Sequence, residues 1–156
     1  MDSSRFVHRG HALRHGRVSE PGRLYLLTAV THKRQAIFRD WHLARLLIVE
    51  MRRLHDTDAV ESLAWVVMPD HFHWLVRLGP MPVSRLMQNV KSRSAIAINK
   101  CTDSAGGKVW QKGFHDHALR SDQELQDVAR YVVANPLRAG LVKRIGDYSL
   151  WDAIWL

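Results

Sequence analysis

Residues 66–76 read Val-Val-Met-Pro-Asp-His-Phe-His-Trp-Leu-Val, an apolar stretch that carries two histidines one residue apart. Successive side chains of a β-strand project from opposite faces, so His71 and His73 share one face while Phe72 and Trp74 cover the other. Two imidazoles side by side on a rigid strand can hold one metal ion, because histidine is the commonest protein metal ligand. Such a pair can equally be structural. Its function depends on whether the chain also supplies a third ligand, a nucleophile and a substrate surface.

The same stretch predicts a β-hairpin. Apolar alternation runs from Ala59 to Met68 and resumes from His71 to about Leu78, with only a Pro-Asp pair between the two runs. Two strands joined by so short a turn pair in antiparallel fashion. The histidines would then lie at the closed end of the hairpin, near the surface, where a metal ion can be reached.

The sequence before and after the hairpin predicts strands and packing helices. β-forming residues predict a strand from Arg23 to Thr31, and Asp40 is a good N-cap for a helix from Trp41 to Leu54. Apolar residues at helical spacing predict a second helix between Val83 and Ile98.

A third helix follows a short strand that carries a second histidine pair. His115 and His117 would share one face of this strand and form a competing metal-site candidate. Ser121 and Glu124 form a capping box, and the helix that they start should end at about Ala134, because a residue before proline avoids the helical region. The predicted order is strand, helix, strand, strand, helix, strand, helix.

Charge and composition favour an anionic polymer as partner. The net charge is +8 before any histidine is protonated, and the isoelectric point is near 10.2, which is typical of nucleic-acid-binding proteins as well as of simply basic ones. Cys101 is the only cysteine, so no intrachain disulfide is possible. No apolar run approaches the ~18 residues of a membrane span, and no signal peptide is evident, so a cytoplasmic location is expected.

The basic residues fall into distinct parts of the chain. Residues 1–22 form a basic arm that we expect to be flexible, followed by one domain over residues 23–156. The second predicted helix carries a basic face that includes Lys91 and Arg93, which either binds phosphates or is merely solvated. The segment from Trp110 to Arg120 mixes cations with aromatic rings, which suits a surface for stacked bases and phosphates.

Two polar side chains of the third helix can act at one point. Tyr131 and Asn135 are four residues apart and therefore lie on the same side of a helix. In isolation Tyr131 would be read as a half-buried helix tyrosine, and Asn135 as a C-cap before Pro136.

Two motifs in this chain resemble a known family. Residues 68–76 (MPDHFHWLV) look like the histidine motif of the small tyrosine transposases of the IS200/IS605 type. Residues 131–142 (YVVANPLRAGLV) look like the tyrosine motif of the REP-associated branch, often called RAYTs. The pairs Lys91-Ser92, Trp110-Gln111 and Phe114-His115 are also similar to that branch. The resemblance spans about Pro21 to Trp151 and departs at Val133, where such motifs often have a polar residue.

The resemblance implies an α+β fold, with a ferredoxin-like antiparallel sheet flanked by helices, and the chemistry of bacterial HUH single-strand DNA endonucleases. It implies a Mg²⁺ or Mn²⁺ ion held by His71, His73 and Asn135, and attack by Tyr131 on DNA to give a 5′-phosphotyrosine. A tyrosine hydroxyl is mostly protonated at neutral pH, so it needs activation. The implied partner is single-stranded DNA with a hairpin, from REP-type palindromes. The REP-associated branch favours a monomer with Tyr131 acting in cis, with a homodimer as the alternative.

Residues with cationic, aromatic or imidazole side chains are the candidates for DNA contacts. They are Lys91, Arg93, Trp110, Lys112, Phe114, His115, Arg120 and Arg138.

Two other function classes remain open at this point. A non-catalytic nucleic-acid-binding protein on the same fold would explain the charge but not the joint presence of His71, His73, Tyr131 and Asn135. A metal-dependent nuclease could instead use water as its nucleophile, with Asp127, His115 or His117 among its ligands.

Overall fold

The computed structural model describes residues 19–104 and 106–154, and it has an antiparallel sheet with helices on both faces. The strands are β1 (Leu24–Val30), β2 (Val60–Met68), β3 (His71–Leu78), β4 (His115–Ala118) and β5 (Trp151–Ala153). The helices are α1 (Trp41–Asp56), α2 (Val83–Cys101), α3 (Asp122–Val133) and α4 (Asn135–Arg138). Single-turn 3-10 helices span His32–Arg34, Ile37–Arg39 and Ile145–Asp147.

The sheet has the order β4-β1-β3-β2-β5, and all neighbouring strands are antiparallel. The first four strands and the helices α1 and α2 follow the βαββαβ order of a ferredoxin-like fold, which confirms the predicted class. The short edge strand β5 was not predicted. Its partner is β2, where Trp151 pairs with Val66.

The sheet separates two hydrophobic cores. Phe72, Trp74 and Val76 of β3 face a core shared with α1 and α2. Leu75 of the same strand faces a second core, shared with α3. Because side chains alternate along a strand, the two histidines of β3 lie on the α3 face, as predicted. Strand β3 is therefore buried on both sides. A shift of one residue would exchange the side chains between the two cores, so burial fixes its register.

Helix ends confirm one capping prediction and correct another. Asp40 Oδ1 accepts a hydrogen bond from His42 N at 3.0 Å, as expected for an N-cap. Ser121 makes no side-chain cap, so that half of the predicted capping box is wrong. Glu124 does reach back, but its Oε2 accepts from the amide of Arg120 at 2.8 Å, one residue before the N-cap position.

Residues 1–18 of the predicted arm and Trp155 of the tail lie outside the described residues. The described end of the arm is tied to the domain. Ser19 Oγ accepts from the amide of Val83 at 3.1 Å, and Gly22 N donates to Leu78 O at 2.7 Å. Within residues 19–104 and 106–154, no helix has the length and apolar character needed to cross a bilayer.

Candidate functional site

The two histidines of β3 stand beside each other on the α3 face of the sheet. The ring centroids of His71 and His73 are 5.0 Å apart, and the rings are nearly perpendicular at 79°. An imidazole nitrogen lies about 2 Å from a bound first-row metal, so two rings sharing one ion at a right angle have centroids roughly 5 Å apart. The observed spacing therefore fits one shared ion. The prediction that both histidines lie near the surface holds only for His71, which is partly exposed. His73 is buried with 7% exposure.

Each histidine is anchored through its Nδ1 atom. His71 Nδ1 lies 2.7 Å from Asp70 Oδ1, and His73 Nδ1 lies 2.7 Å from the hydroxyl of Thr28 on β1. Because both Nδ1 atoms are used, the ring nitrogen suited to ligate a metal is Nε2 in both residues. Metal-binding histidines usually have such a second partner, which fixes the tautomer and the ring orientation.

Asp70 belongs to a chain of charged groups. Burial alone raises the pKa of its carboxyl, but the hydrogen bond and charge of His71, and then those of Arg34, outweigh it and hold the pKa below its ordinary value. Arg34 Nη1 lies 3.2 Å from Asp70 Oδ2. A carboxylate that stays ionised is the stronger acceptor for His71, so this network stabilises the orientation of the ring.

Tyr131 of α3 lies against the histidine pair. Its ring centroid is 6.0 Å from that of His73, with the rings edge to face at 64°. The chain has two other tyrosines. Tyr25 is buried with 4% exposure, and the hydroxyl of Tyr148 donates to Val67 O at 2.5 Å, where burial raises its pKa to about 12. Tyr131 is thus the tyrosine whose ring lies against the histidine pair.

The amide of Asn135 has a fixed orientation. Its Nδ2 donates to the carbonyls of Tyr131 and Val132, each at 3.1 Å. Because both partners are acceptors, the nitrogen must face them and Oδ1 must point away from α3. Oxygen is the atom of this amide that binds hard cations. The buried side chain is therefore fixed to the backbone of Tyr131 and Val132, with its amide oxygen turned away from these carbonyls.

The donor set fits a divalent cation of the Mg²⁺ or Mn²⁺ type. In the part of the chain that the structure describes, no group of three or more His, Cys, Asp or Glu side chains could hold a metal ion. The pair His115 and His117 therefore does not form such a group with His71 and His73. Asn135 belongs to another residue type, and its amide oxygen is of the kind that Mg²⁺ and Mn²⁺ bind.

His115 nevertheless lies in one row with the site. Across the sheet, Thr28 of β1 pairs with His73 on one side and with His115 of β4 on the other. Residues directly opposite in antiparallel strands share a face. His115 thus faces α3, two strands from His73, and His117 follows on the same face.

Several of the residues predicted to contact DNA have structural partners in the described chain. Arg138 Nη2 donates to Tyr131 O at 2.8 Å. Lys91 Nζ donates to the carbonyls of Gln111 and Gly113 at 2.8 and 2.5 Å. Arg93 pairs with Glu50 of α1 at 2.9 Å.

The indole of Trp110, another of these residues, packs against the rings of Phe38 and Phe72, with centroid distances of 5.5 and 5.4 Å. Its Nε1 donates to Ser94 Oγ at 3.0 Å. The other candidates vary in exposure. Lys112, Arg120 and Arg138 are exposed, while Phe114 is half-buried against the first core.

The anchors Thr28 and Asp70 were missed in the sequence. Asp70 directly precedes His71, and the sequence suggested only a turn there. A carboxylate beside a metal-type histidine was the signal that could have found it. Thr28 carried no local signal, since it meets His73 only through strand register.

The fold and the site together define an α+β protein with a histidine pair on a central strand and a tyrosine helix packed over it. A family model described as "Transposase IS200 like" matches residues 23–135. The chain belongs to the IS200-like transposase family.

Members of the REP-associated branch are among the proteins to which the chain is similar. The chain is 27% identical over 117 residues to the REP-associated tyrosine transposase of Escherichia coli strain K12, covering 73% of this chain and 65% of that protein. The chain thus spans just under two thirds of that relative's length. A solved REP-associated tyrosine transposase bound to a REP hairpin has the same fold, with a TM-score of 0.70 at 23% identity, over 86% of this chain and 79% of that one.

Proposed function

We propose that this chain is a single-strand DNA endonuclease and strand transferase that uses Tyr131 as its nucleophile on hairpin DNA of the REP type. The contact between Tyr131 and His73 carries the proposal, because it brings a tyrosine to the histidine pair within one chain. The family assignment supports phosphoryl transfer as the reaction class.

His71, His73 and Asn135 would hold the divalent cation. When bound, Mg²⁺ or Mn²⁺ polarises a non-bridging phosphate oxygen and offsets negative charge in the transition state. The chain itself contributes fixed orientation: Asp70 and Thr28 hold the imidazoles, and the α3 carbonyls hold the amide of Asn135.

In the proposed reaction, Tyr131 Oη attacks the scissile phosphorus and loses its proton. A new oxygen–phosphorus bond forms and the bond to the 3′ oxygen breaks. The leaving 3′ oxygen takes up one proton, which balances the one lost by Tyr131, and the products are a 5′-phosphotyrosine and a free 3′-OH. The covalent intermediate conserves the phosphodiester, so an incoming 3′-OH can reverse the step and join strands. Direct hydrolysis by water would cleave the DNA without an intermediate from which strands can be joined.

Charge and the solved relative support single-stranded DNA with a hairpin as the substrate. The net charge of +8 suits a polyanion, and the relative was solved with a REP hairpin. Of the candidate contacts, Lys112 and Arg120 are exposed and are the first choices for binding phosphates, whereas Arg138 is exposed but contacts Tyr131. Lys91, Arg93, Trp110, Phe114 and His115 would instead shape the surface or bind DNA after rearrangement of their present contacts.

The test is to incubate the protein with end-labelled hairpin DNA and Mn²⁺ and to separate the products on a denaturing gel. The wild-type protein should give a denaturation-resistant protein–DNA band. Tyr131→Phe should lose that band and still bind DNA, while the matched control Tyr148→Phe should keep it. His71→Ala should reduce cleavage with little change in DNA affinity.

The same gel separates the two rival functions. Cleavage that yields free DNA ends without an adduct would indicate a water-dependent nuclease. Binding without cleavage would indicate a non-catalytic binding protein. An adduct that persists in Tyr131→Phe would refute the assignment of the nucleophile.

The contact within one chain also favours a monomer that acts in cis. If His71→Ala and Tyr131→Phe are mixed, each molecule lacks one half of the site and no adduct should form. Recovery of the adduct in the mixture would show a homodimer that shares its sites in trans.

A further inference from the structure

We infer that Arg138 is a positioning residue that clamps the ring of Tyr131 for attack, a role distinct from a simple DNA phosphate contact. The inference rests on the proposed function of Tyr131. It concerns how the nucleophile is held before any DNA is present.

Arg138 contacts Tyr131 in two ways. Its Cζ atom lies 4.0 Å from the centroid of the tyrosine ring, and its Nη2 donates to the backbone carbonyl of Tyr131 at 2.8 Å. A guanidinium within ~6 Å of an aromatic centroid is attracted by the negative face of the ring. The ring of Tyr131 also packs edge to face against the ring of His73. Tyr131 is therefore held by both Arg138 and His73.

The end of α3 explains why Arg138 reaches back seven residues. Carbonyls in the last turn of a helix lack intrahelical partners, and Tyr131 O is in that turn of α3. Asn135 Nδ2 and Arg138 Nη2 both donate to this carbonyl. The short helix α4 begins at Asn135 and continues to Arg138, with its Arg138 amide bonded to Ala134 O at 3.1 Å. The arginine is thus fixed by the backbone as well as by its own contacts.

A clamp of this kind matters because in-line attack depends on the orientation of the hydroxyl. A misplacement of about 1 Å can cost roughly 100-fold in rate. The planar guanidinium can stack on a ring and donate to a carbonyl at the same time, whereas an ammonium group is a point charge without a stacking face. A lysine at position 138 should therefore not restore the clamp on Tyr131.

The alternative role makes different predictions. Arg138 is exposed, so it could simply neutralise a DNA phosphate. Loss of one phosphate contact weakens binding and reduces the salt dependence of affinity by about one counterion. Lysine would restore most of that effect. Loss of a clamp instead lowers the rate at saturating DNA.

The experiment measures adduct formation in a single turnover at saturating hairpin DNA and Mn²⁺, with DNA affinity measured separately. We expect Arg138→Leu to lower the rate by about 10- to 100-fold, with little change in affinity, and Arg138→Lys to recover little of the rate. The control Arg130→Leu removes the same charge from an exposed position on α3 and should leave the rate unchanged. An unchanged rate in Arg138→Leu, or a loss confined to affinity that Lys restores, would overturn the inference.

A readout without DNA separates this inference from the proposed function. The chain has three tyrosines, so ring-labelled protein gives few NMR signals, and Tyr131 is assigned by its disappearance in Tyr131→Phe. Arg138→Leu should shift the Tyr131 ring signal while Arg130→Leu leaves it in place. If the wild type forms no adduct, the proposed function fails. If the Tyr131 signal does not respond to Arg138→Leu, the clamp itself is refuted.

Discussion

Asp70 Oδ1 lies 2.7 Å from Nδ1 of the adjacent His71, and Arg34 holds the other carboxylate oxygen at 3.2 Å. The hydrogen-bond partner of His73 is different, since a neutral threonine hydroxyl occupies the equivalent place. The two imidazoles of the site are thus oriented by one charged and one neutral partner. We expect removal of the Asp70 charge to weaken metal binding and removal of the Thr28 hydroxyl to destabilise the fold.

Asp70→Asn should lower Mn²⁺ affinity by about tenfold, because outer partners of histidine ligands typically contribute 10- to 100-fold. The change keeps the shape of the side chain and removes its charge. Isothermal titration with Mn²⁺ measures the effect without DNA. Asp127→Asn, on the exposed side of α3, is the matched control and should bind Mn²⁺ normally. Equal affinities in all three proteins would contradict the role of Asp70.

Thr28→Val should destabilise the fold by about 1–3 kcal/mol, the cost of leaving a buried polar group unsatisfied. The methyl group replaces the hydroxyl that bonds His73 Nδ1 in a buried environment. Thr28→Ser keeps the hydroxyl and should lose much less stability. Urea unfolding of the metal-free proteins checks both. If Thr28→Val and Thr28→Ser have the same free energy of unfolding, the hydrogen bond between Thr28 and His73 does not stabilise the fold.

Glu50 should make stability depend on acid pH. Burial by itself raises the pKa of its carboxyl, but hydrogen bonds and charges from Arg53 and Arg93 outweigh it and hold the pKa below its ordinary value of 4.5. A depressed folded-state pKa stabilises the fold above pH 4.5, and that contribution is lost as the pH falls through the folded-state pKa.

The difference in unfolding free energy between wild type and Glu50→Gln should therefore shrink in acid. Thermal or urea unfolding across this range measures it, with Glu61→Gln as a control at a more exposed ion pair. A difference that stays constant down to strongly acid pH would show that Glu50 is not stabilised by its arginines.

Lys91 and Lys112 should differ, although both were predicted to bind DNA. Lys91 ties α2 to the loop before β4 through two carbonyls, whereas Lys112 is exposed. Lys91→Met should lower thermal stability. Lys112→Met should leave stability unchanged and reduce the salt dependence of DNA affinity by about one counterion. The reverse pattern would show that Lys91 is the phosphate contact.

The periodicity of the sequence predicted which side chains of the site lie next to each other. Alternation placed His71 and His73 on one face of β3, and the spacing of four residues placed Asn135, at the start of α4, one helical turn after Tyr131 of α3. Both relations join residues at most four positions apart, so local sequence determines them. The strand and helix order likewise followed from hydrophobic patterns that the two cores preserve.

Contacts between distant segments were not predictable in this way. The bond from Thr28 to His73 depends on how β1 aligns with β3, and burial of the whole sheet sets that register. The clamp of Arg138 on Tyr131 depends on the turn after α3, where α4 carries the arginine back. Strand β5 has only three residues, too few for a recognisable period.

The most direct test of the central claim is to digest the wild-type protein–DNA adduct and identify the modified residue by tandem mass spectrometry. The proposed function predicts a nucleotide attached through a 5′-phosphate to the peptide that contains Tyr131, and no modification of Tyr25 or Tyr148. A nucleotide on any other residue, or cleaved DNA with no modified peptide, would contradict it.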